Sequence, residues 1–240
     1  MDIDKSGIEN RWTTMFNGTD LTGWTPKISG RVYGDNYLNT FQVIDSAITV
    51  SYEAYDTFSG EFGHLFYETP YDSYHMKLEY RFLGDQVKGG PGWAYRNNGI
   101  MFHCQDPETM ELNQDFPLSA EFQFLGGNGE VERSTGNLCT PGCHVTIDDE
   151  LVTAHCINSS SSTYHGDGWV SAELIVQSNG IIHHVIEGDT VMTYSNLHMG
   201  GDHLPDKFKN REGSSMVSGY IALQAETTPT AFRNIMIKEL

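Results

Sequence analysis

The chain has 240 residues, of which 38% are hydrophobic, and a formal net charge of −18 at pH 7. So negative a protein is not expected to bind nucleic acid or anionic membranes, and no apolar stretch reaches the roughly 18 residues of a membrane-spanning helix. The length fits one large all-β domain or two small ones.

The first half of the chain shows the signals of separate strands. Residues 1–13 are predicted to be an irregular lead-in. Residues 41–52 read as a strand pair, and residues 66–82 contain a run in which apolar and charged side chains alternate. Such alternation is typical of a strand with one buried face. A glycine-rich loop follows at residues 84–92.

Two alternating runs joined by a polar loop lie within residues 97–127. Each run places apolar side chains on one face and polar or mixed side chains on the other. The apolar face carries Ile100, Phe102, Cys104, Phe122 and Phe124. The other face carries Gly99, Met101, His103, Glu121 and Gln123. We therefore expect His103 and Glu121 to lie on the solvent side of the sheet.

Residues 128–168 form a long polar insertion with three of the four cysteines. An irregular segment of this length in a compact domain is usually functional. The spacing of Cys139, Cys143 and Cys156 is not typical of a zinc site. We expect one or two disulfides in an oxidising compartment, one of them between Cys139 and either Cys143 or Cys156.

The last third again reads as strands. A hairpin is predicted at 170–188 around an Asn-Gly turn, followed by a polar loop at 195–217 and strands at 219–225 and 232–240. No internal repeat and no convincing helix is found. Many short strands with turns between them predict a single domain, residues 1–240, that is all-β and forms a two-sheet antiparallel jelly-roll sandwich.

Five motifs occur in an order that is informative as a set. They are FNGTDLTGW (16–24), NNGIMFH (97–103), EFQFL (121–125), SNGIIHHVIEG (178–188), and GYIALQ (219–224) followed by TAFRNIMIKEL (230–240). Over roughly residues 14–240 the chain resembles the 3-keto-disaccharide hydrolase family, formerly a domain of unknown function. The resemblance implies a concanavalin A-like jelly roll, related to family 16 glycoside hydrolases, with a carbohydrate cleft. It also implies an exported protein, periplasmic or extracellular.

The chain departs from this pattern at several positions. The family usually has arginine where this chain has His103, and histidine where it has Glu226. Family 16 enzymes carry Glu-x-Asp-x-x-Glu on one strand; Glu121 aligns with the first glutamate, but Gln123 and Gly126 replace the other acids. Retaining hydrolysis by this strand alone is therefore disfavoured, and Glu226 is the candidate for a second carboxyl.

The activity that the resemblance implies is cleavage of a 3-keto-glycoside. The C3 ketone acidifies the proton on C2, a base removes that proton, the C1 substituent leaves, and water can then add. This chemistry needs a base, a stabiliser of the enolate oxygen and an acid for the leaving group. The candidate catalytic residues are Glu121, His103, His165 and Glu226. The candidate substrate-binding residues are Asn98, Gln123, Gln224, Trp93, Tyr95 and Tyr164.

Two alternatives stay open, namely an ordinary two-carboxylate glycoside hydrolase that uses Glu121 and Glu226, and a non-catalytic carbohydrate-binding module. Convergence of His103, Glu121 and Glu226 would favour an enzyme. No cofactor is certain. A divalent ion, catalytic or a structural calcium, is compatible with histidine and carboxylates, although no loop has a diagnostic calcium spacing. The expected partner is a carbohydrate or glycoside substrate, and the expected state is a monomer.

Overall fold

The computed structural model describes residues 11–240, which fold into two antiparallel sheets. Within this range there are seventeen strands, β1–β17, and four short 3-10 helices. The 3-10 helices are Tyr37–Asn39, Gly92–Ala94, Pro107–Thr109 and Asp206–Arg211. Most of the predicted lead-in lies outside the described residues, and its last residue, Thr13, begins β1 (Thr13–Thr14). In the described part of the chain no helix combines the length and apolar character needed to cross a bilayer.

The larger sheet has ten strands. In spatial order they are β11 (Glu150–Val152), β10 (Cys143–Ile147), β15 (Asp189–Met199), β14 (Ile182–Ile186), β13 (Val170–Val176), β6 (Tyr74–Phe82), β17 (Thr230–Glu239), β4 (Ala47–Val50) and β3 (Phe41–Ile44), with β1 paired to β17.

The smaller sheet has seven strands and positions the candidate site. In spatial order they are β12 (Cys156–Ile157), β9 (Asn137–Cys139), β8 (Ala120–Leu125), β7 (Asn97–Cys104), β16 (Tyr220–Ala225), β5 (Gly63–Tyr67) and β2 (Trp24–Ile28). Strands distant in sequence are neighbours in both sheets. The prediction of an all-β, two-sheet antiparallel jelly-roll sandwich is confirmed.

The core lies between the two sheets and is formed by the apolar faces of the strands. Ile100, Phe102, Phe122 and Phe124 all point into it, as their alternation predicts. Phe124 stacks on Tyr80 of the opposite sheet, with ring centroids 4.0 Å apart. Burial of these large side chains fixes the register of β7 and β8, because a slip of one residue would turn every side chain to the other face. The polar alternate positions consequently face away from the core.

The segment 128–168, expected to be irregular, contains four short strands that extend both sheets. Strands β9 and β12 lie at one edge of the smaller sheet, and β10 and β11 at one edge of the larger sheet. The turn between β10 and β11 places Asp148 and Asp149 at positive φ (50° and 65°), the geometry of a tight hairpin. These strands are only two to five residues long, and runs so short carry little periodic signal in the sequence.

Candidate functional site

The face of the smaller sheet that points away from the core, here the cavity face, carries polar side chains on its central strands. Register pairs Glu121 of β8 with Met101 of β7, and Met101 with Ala222 of β16. One step along the strands, Gly99 of β7 pairs with Gln123 of β8. Paired residues lie on the same face of a sheet, so these positions form the floor of any site built above it.

A cavity of about 770 Å³ lies over this floor. The 105–119 loop and the 200–218 loop form its sides, and Trp93 and Arg133 also line it. The floor residues are Asn97, Glu121, Gln123, Leu125, Cys139, Cys156 and Glu226. Its volume is within the range of small-molecule sites.

Two carboxyl groups, those of Glu121 and Glu226, are buried in the floor, with only 6% and 3% of each residue exposed. Glu121 lies on β8, and Glu226 follows the last residue of β16, with β7 between them. Because Gly99 of β7 has no side chain, the Glu121 side chain can cross β7 toward β16. A methyl group on Gly99 would lie 2.8 Å from Oε1 of Glu121, so the Glu121 side chain folds across the bare glycine toward β16.

Burial raises the pKa of both carboxyl groups. The neighbouring Glu121 raises the pKa of Glu226 further, because two negative charges close together in a dry site repel each other. Oε1 of Glu121 and Oε2 of Glu226 have no hydrogen-bond partner among the described residues. The pair therefore retains a proton at a pH where exposed glutamates are ionised, and it titrates as a unit.

The position of Glu226 is fixed by the residue that follows it. Thr227 has a φ of 98°, a strained conformation for a β-branched residue. It is held there by three hydrogen bonds: its N–H donates to Tyr52 Oη (2.8 Å), its hydroxyl donates to the Ala94 carbonyl (3.1 Å), and it accepts from Gln86 Nε2 (2.7 Å). Strain that the surroundings enforce in this way is typical of functional sites.

Polar groups that can bind a ligand line the same cavity as the carboxyl pair. Asn97 is buried, and its Oδ1 has no partner among the described residues. Arg133 donates through one nitrogen, Nη1, to the carbonyls of Tyr95 (2.7 Å) and Gly126 (2.9 Å). Burial lowers the pKa of Arg133, but a guanidinium stays charged in proteins. Arg133 forms no salt bridge within residues 11–240, so its remaining N–H groups are available to a ligand.

Aromatic side chains form one side of the cavity. Trp93 is 56% exposed and stacks on Phe62, with centroids 5.7 Å apart and an interplanar angle of 21°. The Phe62 ring in turn packs against the Phe116 ring, with ring centroids 5.1 Å apart. The outer face of Trp93 offers a flat apolar surface on which the carbon face of a sugar ring can lie.

The disulfide lies in the floor of the same cavity. Cys139 is bonded to Cys156, one of the two pairings that the sequence predicts, while Cys143 is a buried free thiol. Cys139 is the register partner of Glu121. The bond therefore joins β9 to β12 directly beside the carboxyl pair.

His103 does not line the cavity, and the expectation that it shares a face with Glu121 is not met. It has a φ of 48° and lies where the register between β7 and β16 shifts. Such a bulge breaks the alternation of side chains, so Cys104 packs with Met101 and Met110 instead of the core face. Burial lowers the pKa of His103 to about 4, against the opposite effect of the Asp72 carboxylate, which raises it.

His165 and Tyr164 also lie elsewhere. They line a separate cavity of about 70 Å³. Nδ1 of His165 accepts a hydrogen bond from the Gly129 N–H (3.1 Å), and the Tyr164 carbonyl accepts one from Gly127. Both residues thus hold the end of the 128–168 segment against the loop that directly follows β8.

Of two further candidates, Asn98 faces away from the cavity, and Tyr95 contributes only its backbone carbonyl. Asn98 alternates with Gly99 and pairs with Phe124 of the core face, and its Oδ1 accepts from the Gly99 N–H at 2.7 Å. Tyr95 contributes its carbonyl to Arg133. Gln224 does lie on the cavity face, fully buried beside His64 and outside the cavity lining.

The structure brings together four of the predicted residues, Glu121, Glu226, Gln123 and Trp93, in one cavity. The sequence reasoning missed Asn97, Phe116 and Arg133. Asn97 lies two residues before Gly99 on the same strand, so alternation could have placed it on the cavity face. Phe116 and Arg133 lie in loops, where no periodic pattern indicates the direction of a side chain. In the described part of the chain no group of three or more His, Cys, Asp and Glu side chains is arranged to hold a metal ion.

Comparisons with known proteins agree with this architecture. The family model described as the 3-keto-alpha-glucoside-1,2-lyase-like domain matches residues 11–238. None of the curated proteins compared with the chain matches it.

Several solved structures share the fold. One candidate glycosyl hydrolase from Parabacteroides distasonis is 16% identical with a TM-score of 0.58, covering 96% of this chain and 100% of its own. A second from that organism is 18% identical with a TM-score of 0.54, covering 95% and 94%. A β-glucanase from Bacillus licheniformis is 10% identical with a TM-score of 0.50, covering 96% and 97%. At these identities the similarity shows the fold alone.

Proposed function

Since the chain belongs to the 3-keto-alpha-glucoside-1,2-lyase-like domain family, we propose that it cleaves the glycosidic bond of a 3-keto-glycoside. The reaction removes the C2 proton, expels the C1 substituent and, when water adds afterwards, gives net hydrolysis. The observation that carries this proposal is the buried pair Glu121 and Glu226, two carboxyl groups whose pKa values are raised by burial, inside a cavity large enough for a sugar.

The pair supplies both proton transfers that the reaction needs. The ionised member takes the proton from C2, whose electron pair moves toward C1 as the bond from C1 to the leaving oxygen breaks. The protonated member gives its proton to that oxygen. Water then adds its hydroxyl to C1 and a proton to C2. A base with a pKa raised toward ambient pH is suited to the first step, and a carboxyl group that is still protonated is suited to the second.

Polar and aromatic groups of the cavity support the same reaction. Charge that develops on the ketone oxygen is stabilised by donors aimed at it in a site of low dielectric. We assign this role to Arg133, with Asn97 and Gln123 binding sugar hydroxyls and Trp93 stacking on the ring. A periplasmic or extracellular location accompanies the proposal and is supported by the Cys139–Cys156 disulfide.

An ordinary two-carboxylate hydrolase is the second candidate, because the same two carboxyl groups would suit it. It differs in needing no ketone. A binding module is disfavoured, since burying two carboxyl groups without partners opposes folding and has no use in binding alone.

A paired assay tests the proposal. The protein is offered nitrophenyl glucoside and its 3-keto counterpart, with and without chelator, and nitrophenol release is followed. We expect release from the keto sugar alone. Glu121→Gln and Glu226→Gln should each reduce it about 100-fold or more, whereas Glu150→Gln, an exposed change on β11, should not.

Each other outcome has a definite meaning. Release from the unoxidised glucoside would replace the keto-sugar reaction by two-carboxylate hydrolysis. Release from neither substrate would remove the enzyme proposal for glucosides. Loss of activity with chelator would add a metal to the mechanism.

A further inference from the structure

The cavity face holds a second pair of buried polar side chains. His64 of β5 and Gln224 of β16 are register partners, and both residues are 0% exposed. Neither ring nitrogen of His64 has a hydrogen-bond partner among the described residues, and neither has the amide oxygen or nitrogen of Gln224. Burying such groups without partners opposes folding, so the presence of four such atoms at one place calls for a ligand that can pair with them.

This second pair is contiguous with the carboxyl pair. Gln224 precedes Glu226 by two residues and lies on the same face of the sheet, roughly 7 Å away along the strand. Extending the register Ala222–Met101 by two residues places Gln224 beside Gly99, the glycine over which Glu121 folds. A ligand that reaches the carboxyl pair from this side therefore meets Gln224 next and His64 after it.

Phe116 separates the pair from the cavity. Its ring lines the cavity and stands edge-on to the His64 ring, with centroids 5.8 Å apart. The backbone around it is anchored, because Gln114 donates to the Phe116 carbonyl (2.8 Å) and Ser29 donates to Asp115 (2.7 Å). With its neighbours held in this way, the half-buried Phe116 side chain is the part of the loop that can turn aside to bring His64 into contact with the cavity.

The chemistry of the pair fits a neutral hydroxyl group. Burial, followed by the nearby Lys27, lowers the pKa of His64 to about 3, so its ring is neutral with one donor and one acceptor nitrogen. The Gln224 amide likewise donates and accepts. A sugar hydroxyl does both, whereas an unsubstituted aromatic ring has neither a donor nor an acceptor group.

We propose that His64, Gln224 and Phe116 form a subsite for the hydroxyl-bearing ring of a sugar leaving group, opened when the Phe116 ring turns aside. This inference rests on the proposed function, because it takes the Glu121–Glu226 pair as the point of cleavage. It adds that the enzyme distinguishes sugar leaving groups from apolar ones through His64 and Gln224.

Binding measurements test the subsite without requiring turnover. Trehalose, which carries a second sugar, and methyl glucoside, which does not, are titrated into the wild type, His64→Phe and Gln224→Leu by calorimetry. His183→Phe is the matched control, since His183 lies on β14 of the other sheet and bonds to Thr193. The ring signals of His64 are followed by NMR in the wild type, so that one measurement does not depend on any variant folding.

We expect His64→Phe and Gln224→Leu to weaken trehalose binding about tenfold, the loss typical of one hydrogen bond, and to leave methyl glucoside binding within about twofold. Trehalose alone should shift the His64 signals. Equal trehalose affinity in all variants with unmoved His64 signals, or no trehalose binding to the wild type, would overturn the subsite. Failure of the keto-sugar assay with His64-dependent trehalose binding would overturn the proposed cleavage instead.

Discussion

At the scale of single residues, the candidate site depends on two glutamates whose surroundings oppose their ionisation. Glu121 and Glu226 are buried and form no salt bridge with any residue from 11 to 240, and in that range one oxygen of each accepts no hydrogen bond. The repulsion between them ensures that they do not lose their protons together. One glutamate can therefore act as a base while the other acts as an acid.

The rate of cleavage should follow a bell-shaped pH profile. Activity needs one proton on the pair, so it rises when the first carboxyl group ionises and falls when the second does. Because both pKa values are raised, the whole bell should lie above the ordinary glutamate value of 4.5. A profile of kcat/KM for the keto sugar measures this, and a bell centred near pH 4 would contradict it.

Stability should respond to pH at the same residues. A carboxyl group whose pKa is raised by folding destabilises the folded state above its unfolded pKa, because the folded form resists losing the proton. Glu226→Gln should therefore raise Tm relative to the wild type at pH 8, by about 2–4 °C for each kcal/mol relieved. The difference should vanish near pH 4, and thermal unfolding at the two pH values measures both.

At the scale of elements, alternation in the sequence predicted much of the site, and a break in it accounts for the misplacement of His103. Glu121, Gln123 and Glu226 lie where an unbroken strand places them. The bulge at His103 left no mark in the sequence, because histidine tolerates positive φ without requiring it. Asn98 was misplaced although its own alternation with Gly99 put it on the core face.

Loop residues were beyond such reasoning for a physical reason. Phe116 and Arg133 reach the cavity through the path of the backbone and through contacts distant in sequence, such as that of Arg133 with the Tyr95 carbonyl. No periodic pattern encodes these contacts. The strands of the 128–168 segment were missed because runs of two to five residues display little or no alternation.

Strand β7 should tolerate no side chain at Gly99. Gly99→Ala places a methyl group 2.8 Å from Glu121 Oε1 and 2.9 Å from the Phe122 carbonyl, which displaces the carboxyl group. We expect kcat/KM to fall about 100-fold, with a loss of stability of about 1–3 kcal/mol from overpacking. Gly168→Ala, where a methyl group meets nothing within 4 Å, is the control. Unchanged activity in Gly99→Ala would contradict the arrangement described.

At the scale of the whole molecule, negative charge extends from the surface into the cavity. Against one arginine, Arg133, the lining contains six carboxyl groups: Glu111, Asp115, Glu121, Asp202, Asp206 and Glu226. Such a cavity disfavours anionic ligands, since like charges repel most where water is excluded.

The expected monomeric state stays a prediction.

Sugars with a carboxylate should bind poorly. We expect glucuronate to inhibit keto-sugar cleavage at least about tenfold more weakly than glucose at low salt. The difference between the inhibition constants of glucuronate and glucose should narrow at 1 M salt, where the Debye length is about 3 Å. Asp115→Asn combined with Asp202→Asn should narrow it as well. Inhibition constants at two ionic strengths measure the effect, and equal constants for the two sugars would contradict it.

The placement of β16 between β7 and β5 has a consequence for how the protein folds during its synthesis. Glu226 follows Glu121 by more than a hundred residues in the chain, so Glu121 leaves the ribosome well before its partner. Until β16 inserts, the smaller sheet is split, with β7 and β5 exposing unpaired edges. Long-range pairing of this kind folds slowly and is open to aggregation. The nascent chain consequently holds half of the carboxyl pair until β16 has been synthesised, and the two glutamates come together only when β16 pairs with β7 and β5.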